Sequence, residues 1–89
     1  MPRVVFAPAI QRHVQTPPHV VVASTIRDAL NRVFEAQPPL RDYIVDEQGG
    51  LRKHVAIFID DAQMHDRDNL DQRIDDHAEI YVVQALSGG

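Results

Sequence analysis

Two kinds of apolar spacing divide this chain. Arg3-Val4-Val5-Phe6-Ala7 is a short β-type run stopped by Pro8, and a second β-branched run, His19-Val20-Val21-Val22, follows Pro17-Pro18. With the polar stretch from Gln11 to Thr16 between them, the two runs read as a hairpin with a long loop. The spacing changes after Ser24-Thr25. Ile26, Ala29, Leu30, Val33 and Phe34 make one apolar stripe at helical period, while Arg27, Asn31, Arg32 and Glu35 take the other side. Thr25 or Ser24 can cap this helix, and Asp28, three residues beyond Thr25, suits both a capping box and the helix dipole. Pro38-Pro39 ends it.

Leu40 to Val45 suggests one further helical turn with Leu40 and Ile44 inward, and Asp46-Glu47-Gln48-Gly49-Gly50 is a turn. Leu51 to His54 and Val55 to Ile59 form a third strand closed by Asp60-Asp61. Residues 62–79 are polar and irregular, with Met64, Leu70 and Ile74 as single anchors to the core. The final strand runs from Ile80 to Ala85.

The predicted order is β-β-α-β-β, an α+β domain in which one main helix covers a four-strand mixed sheet. The long crossover through the helix lets a later strand lie parallel to an earlier one. That arrangement is the β-grasp; a ferredoxin-like fold needs a second full helix, which the aperiodic residues 62–79 do not supply. Val4, Phe6, Val20, Val22, Ile26, Leu30, Val33, Phe34, Ile57, Ile59, Ile80 and Val82 are the expected core. The domain is expected to span residues 1–86, with 87–89 a flexible tail.

Composition narrows the function. The 89 residues are 44% hydrophobic and 25% charged, as in an ordinary globule of one domain. A net charge of −4 disfavours nucleic acid as a partner and suits a basic protein surface. There is no cysteine, which removes disulfides, thiolate metal sites and cysteine nucleophiles together. The run before Pro8 is too short for a signal peptide and no stretch is long enough to span a membrane, so a cytoplasmic location is expected.

Conventional chemistry is hard to assemble from what remains. The five histidines (His13, His19, His54, His65 and His77) lack the helical spacing of a zinc pair and read as surface residues. Asp66 to His77 fails as a calcium loop, because Asp71 stands where glycine is required and His77 where glutamate is. Neither Ser24 nor Ser87 lies in a nucleophile elbow, and Gly49-Gly50 is no phosphate loop. No catalytic residue, metal site or bound cofactor is therefore expected.

The end of the sequence is different. The strand-like run Ile80 to Leu86 leads directly into Ser87-Gly88-Gly89. With glycine at about 7% of residues, a terminal pair arises by chance in roughly one chain in two hundred. Glycine lacks a Cβ and adopts positive φ freely, so such a tail suits a carboxylate threaded into another enzyme's channel.

The chain resembles the MoaD/ThiS family of prokaryotic ubiquitin-like sulfur carriers along nearly its whole length. The resemblance rests on Val4-Val5-Phe6-Ala7-Pro8, on the helix opening Thr25 to Leu30, and on Leu51 to Asp61. Asp76 to Val83, running on to Gly88-Gly89, completes it. It implies a carrier or cosubstrate, not an enzyme, or the small subunit of a sulfur-transfer complex. An activating enzyme would use ATP to adenylate the Gly89 carboxylate, a sulfur donor would convert it to a thiocarboxylate, and a sulfur-accepting biosynthetic enzyme would receive the sulfur. Gly88 and Ser87 are the threading residues. Molybdopterin-type and cysteine-type pathways both fit, although Val83-Gln84 stands where many molybdopterin subunits carry a proline pair.

The helix-free face of the sheet is the expected partner-binding surface, with Phe58, Tyr81, Val83 and Leu86 as its contacts. Two other functions stay open: a protein modifier joined through Gly89 to a lysine, and a β-grasp interaction module that never uses its tail. Lys53 is the only lysine, which argues against self-linked chains.

Overall fold

The computed structural model describes residues 1–84. Strand β1 (Arg3–Phe6) is followed by α1 (Pro8–Gln11), β2 (His19–Val20), α2 (Ile26–Ala36) and α3 (Pro38–Ile44); β3 (Val55–Ile59), β4 (Ala62–Gln63) and β5 (Glu79–Gln84) complete the chain. The strands form one mixed sheet in the order β2-β1-β5-β3-β4. β1 and β5 lie parallel at its centre, with Val4 opposite Ile80 and Phe6 opposite Val82; the other pairings are antiparallel. This is the ubiquitin-like β-grasp.

α2 forms where the helical stripe predicts it. The Thr25 hydroxyl accepts the Asp28 amide at 3.1 Å, and Asp28 lies in the positive first turn. Two more of its leading amides are satisfied from a distant loop: Ile26 donates to the Gln72 carbonyl and Arg27 to that of Leu70. Pro38-Pro39 breaks the helix and opens α3, where an N-terminal proline costs no hydrogen bond. Ile26, Ala29, Leu30, Val33 and Phe34 of α2 pack with Leu40 and Ile44 of α3 onto Val4, Phe6, Ile57, Ile59, Ile80 and Val82 of the sheet.

The Arg27 guanidinium clamps the loops beside α2. It donates to the Asn69 carbonyl at 2.7 Å and to that of Gly49 at 3.0 Å. The Asp46 carboxylate shapes the turn beneath it by accepting the Gln48 and Gly50 amides, and Gly49 there has φ +87°. Met64 and Leu70 are buried anchors, and Ile74 is half-buried.

Several expectations are corrected. The sheet has five strands, because Asp60 and Asp61 make a two-residue turn with both φ values positive that returns the chain as β4. α1 is an unforeseen helical turn started by Pro8, and it buries Ile10. Leu51 to His54 is not strand; Leu51 makes a single bridge to Val45, and β3 starts at Val55. Val20 and Val22 are not core: they are 59% and 66% exposed, and Val21 is buried in their place. Val20 pairs with Arg3 and so shares the uncovered face with it, while the Val21 amide donates to the Pro2 carbonyl; Val22 lies beyond β2, exposed beside Asp28 and Arg32 of α2. Among the described residues no helix is long and apolar enough to cross a membrane.

Candidate functional site

Strand alternation builds the helix-free face. β5 buries Ile80 and Val82 under the helices and turns Glu79, Tyr81 and Val83 the other way; β1 does the same with Arg3 and Val5, and β3 with Phe58. Cross-strand register assembles these into rows. Val5, Tyr81 and Phe58 stand side by side, with Val83 opposite Ala56 in the next row and Glu79 opposite Arg3 in the one before. The sequence-predicted residues Phe58, Tyr81 and Val83 thus come together. Tyr81 is 42% exposed, while Phe58 and Val83 are half-buried. Leu86, predicted to join them, lies outside the described residues.

Carboxylates gather at one end of this face. The β3–β4 turn carries Asp60 and Asp61, and they line the same shallow concavity as Arg3, Glu79 and the apolar row. Asp60 has a structural task as well: its carboxylate accepts the Glu79 amide at 3.0 Å and its own amide donates to the Glu79 carbonyl, fixing the start of β5. Arg3 and Glu79 form an exposed ion pair at 3.2 Å, of the kind worth at most about 1 kcal/mol. Asp61 has neither role.

At the other end of β5, Gln84 pairs with Val55, and its side-chain oxygen accepts the Tyr43 hydroxyl proton at 3.0 Å. The Tyr43 ring lies against His13, with centroids 4.7 Å apart and planes tilted by 30°. Its other neighbour, His54, meets it edge-on at 4.9 Å. Sequence reasoning missed this cluster and also Val5. For Val5 the β1 alternation was signal enough. His13, Tyr43 and His54 come from three separate segments that no local periodicity connects.

Ser87, Gly88 and Gly89, the residues expected to carry the chemistry, lie outside the described residues. Gly89 is five residues beyond Gln84, so a fully extended chain carries it at most about 18 Å from the end of β5. Among the described residues, no three histidine or acidic side chains gather where a metal ion could bind.

No family model and no curated protein matches the sequence. Solved structures do. A chain of the Amycolatopsis orientalis BexX/CysO complex aligns over 100% of both chains with TM-score 0.82 at 14% identity. The small archaeal modifier protein 1 (SAMP1) of Methanosarcina acetivorans aligns over 99% of this chain and 95% of its own, with TM-score 0.78 at 21% identity. Sulfolobus solfataricus Urm1 does so over 93% and 99%, with TM-score 0.70 at 17% identity. At such identities the likeness is one of fold.

Proposed function

We propose that this chain is a sulfur carrier whose working group is the carboxylate of Gly89. One observation carries the reading: in a ubiquitin-like fold, the central strand β5 leads to Gly88-Gly89 with only three residues intervening. The folded domain then serves as a handle and the end of the chain as the reagent. The sequence resemblance to the MoaD/ThiS carriers supports the same assignment.

A free carboxylate is a poor acyl donor. An adenylating enzyme overcomes this by letting a Gly89 carboxylate oxygen attack the α-phosphorus of ATP, with pyrophosphate leaving. A sulfide equivalent from a donor then attacks the acyl carbon of the adenylate, AMP departs, and a thiocarboxylate remains. In this scheme the chain contributes only the reacting carboxylate and acts as a cosubstrate in the cytoplasm. Its partners are the adenylating enzyme, the sulfur donor and a biosynthetic acceptor of cysteine or molybdopterin type. The row Val5, Tyr81 and Phe58, with Val83 beside it, is the docking face. Its acidic end at Asp60 and Asp61 selects a basic patch on the partner.

Adenylation tests this reading. With the cognate adenylating enzyme, the intact chain should support ATP–pyrophosphate exchange, whereas deletion of Gly89 or Gly88→Val should abolish it. A misplacement of 1 Å at a reacting centre costs on the order of 10²-fold in rate. Exchange at the wild-type rate by the shortened chain would sink the proposal. A second reading is favoured by the likeness to SAMP1, named a small archaeal modifier protein: a lysine amine displaces AMP and an isopeptide forms. Both readings share the adenylate and part at the step after it.

A further inference from the structure

The two ends of β5 carry opposite charge. Asp60, Asp61, Asp75, Asp76 and Glu79 surround its start, on the turn that closes β3 and on the segment that enters β5. At its finish, Tyr43 with His13 and His54 against it stands beside Gln84, and each histidine has a cation next to it in the chain, Arg12 and Lys53. Both cations are exposed. Neither is in an ion pair, since Arg3–Glu79 is the only one among the described residues. Asp42, beside Tyr43 on α3, forms no ion pair among the described residues, and the Asp66 carboxylate accepts the Asp68 and Asn69 amides of its own turn. A strand of six residues spans about 20 Å, twice the screening length of about 8–10 Å at physiological salt, so the two poles act separately.

We infer that Arg12, His13, Tyr43, Lys53 and His54 form a docking collar beside Gln84, and that its occupant is an acidic rim at the mouth of the adenylating enzyme's channel. This rests on the carrier reading. Cations with no ion-pair partner among the described residues, on a chain of net charge −4, are the feature that a carboxylate-bearing surface recognises, and the Tyr43 cluster gives that surface an aromatic contact beside Gln84. The opposite charge at the far end of β5 gives docking a polarity: a partner turned end for end would set like charges against each other at both poles. The collar thereby orients the domain so that the Gln84 end of β5 faces the channel and not away from it.

The test is Arg12→Glu/Lys53→Glu, a double reversal at two exposed positions, assayed by ATP–pyrophosphate exchange with the cognate adenylating enzyme at low and high salt. The expected result is a KM for the carrier raised at least about tenfold at low salt with kcat unchanged. The difference should shrink to within about twofold in ~0.5 M salt, as rim charges require. An unchanged KM, while deletion of Gly89 still abolishes exchange, would overturn the collar and leave the carrier reading standing. No exchange by the wild-type chain would overturn both. Inhibition of the wild-type reaction by a single-stranded RNA oligonucleotide at concentrations where hexaglutamate has no effect would also contradict an acidic protein rim.

Discussion

The two faces of the sheet are made by the same strands and do opposite work. On the covered face, Val4, Phe6, Ile57, Ile59, Ile80 and Val82 lie beneath α2 and α3 and hold the fold. On the open face, one residue along each strand, Val5, Phe58, Tyr81 and Val83 make an apolar strip that no element of the described chain covers. Period-2 geometry lets one sequence specify a core and the surface proposed for docking at once. Stability and function should therefore respond to different residues only one position apart.

The largest effect should come from the covered face. Leu30→Ala removes a fully buried side chain at the centre of the helix stripe and should cost about 2–5 kcal/mol, a large part of the stability of so small a domain. Urea denaturation checks this, and a loss below about 0.5 kcal/mol would mean that the helix does not anchor the core. Gly49→Val should follow at about 1–3 kcal/mol. Its backbone φ is +87°, and a Cβ there would sit 2.9 Å from an Arg27 guanidinium nitrogen, loosening the clamp that ties both loops to α2.

Tyr81→Ala on the open face should change stability by less than about 1 kcal/mol while weakening partner binding about tenfold or more. Equal losses in Tyr81→Ala and Leu30→Ala would erase the distinction between the faces. A smaller effect sharpens it from the covered side. His19 lies opposite Val4, edge-on to Phe6 and 2.6 Å from the buried Thr16 hydroxyl, and burial lowers its pKa below the ordinary 6.5. The unfolded chain then takes up the proton more readily than the folded one. His19 contributes its full stability above pH 6.5, and this is lost as pH falls through the depressed folded value. His19→Gln should flatten that part of a pH–stability profile; an unaltered slope would place the titration elsewhere.

Much of this division was legible in the sequence, and the exceptions have physical causes. α2 carried helical period, a cap and a proline stop that all agree, and it forms where they say. Ile80 to Val83 alternates against register partners that share its pattern, so Tyr81 and Val83 fall on the face predicted for them. Val20-Val21-Val22 has no alternation: three consecutive valines fit either register, and only pairing with Arg3 and Pro2 decides between them. β4 is two residues long with exposed side chains and owes its existence to the Asp60-Asp61 turn, so no apolar pattern announced it. The cluster around Tyr43 was illegible for another reason, since its members meet only after the sheet and α3 are in place.

Intact-mass spectrometry tests the central claim most directly. The chain would be incubated with ATP, a sulfide donor and the cognate adenylating enzyme, and a chain lacking Gly89 treated in the same way. The account predicts a mass gain equal to the replacement of one oxygen by sulfur in the intact chain, and no gain in the shortened one. A conjugate heavier by a whole protein would reassign the chain as a modifier. An unchanged mass in both would contradict the use of Gly89 altogether and leave a β-grasp module that binds through its open face alone.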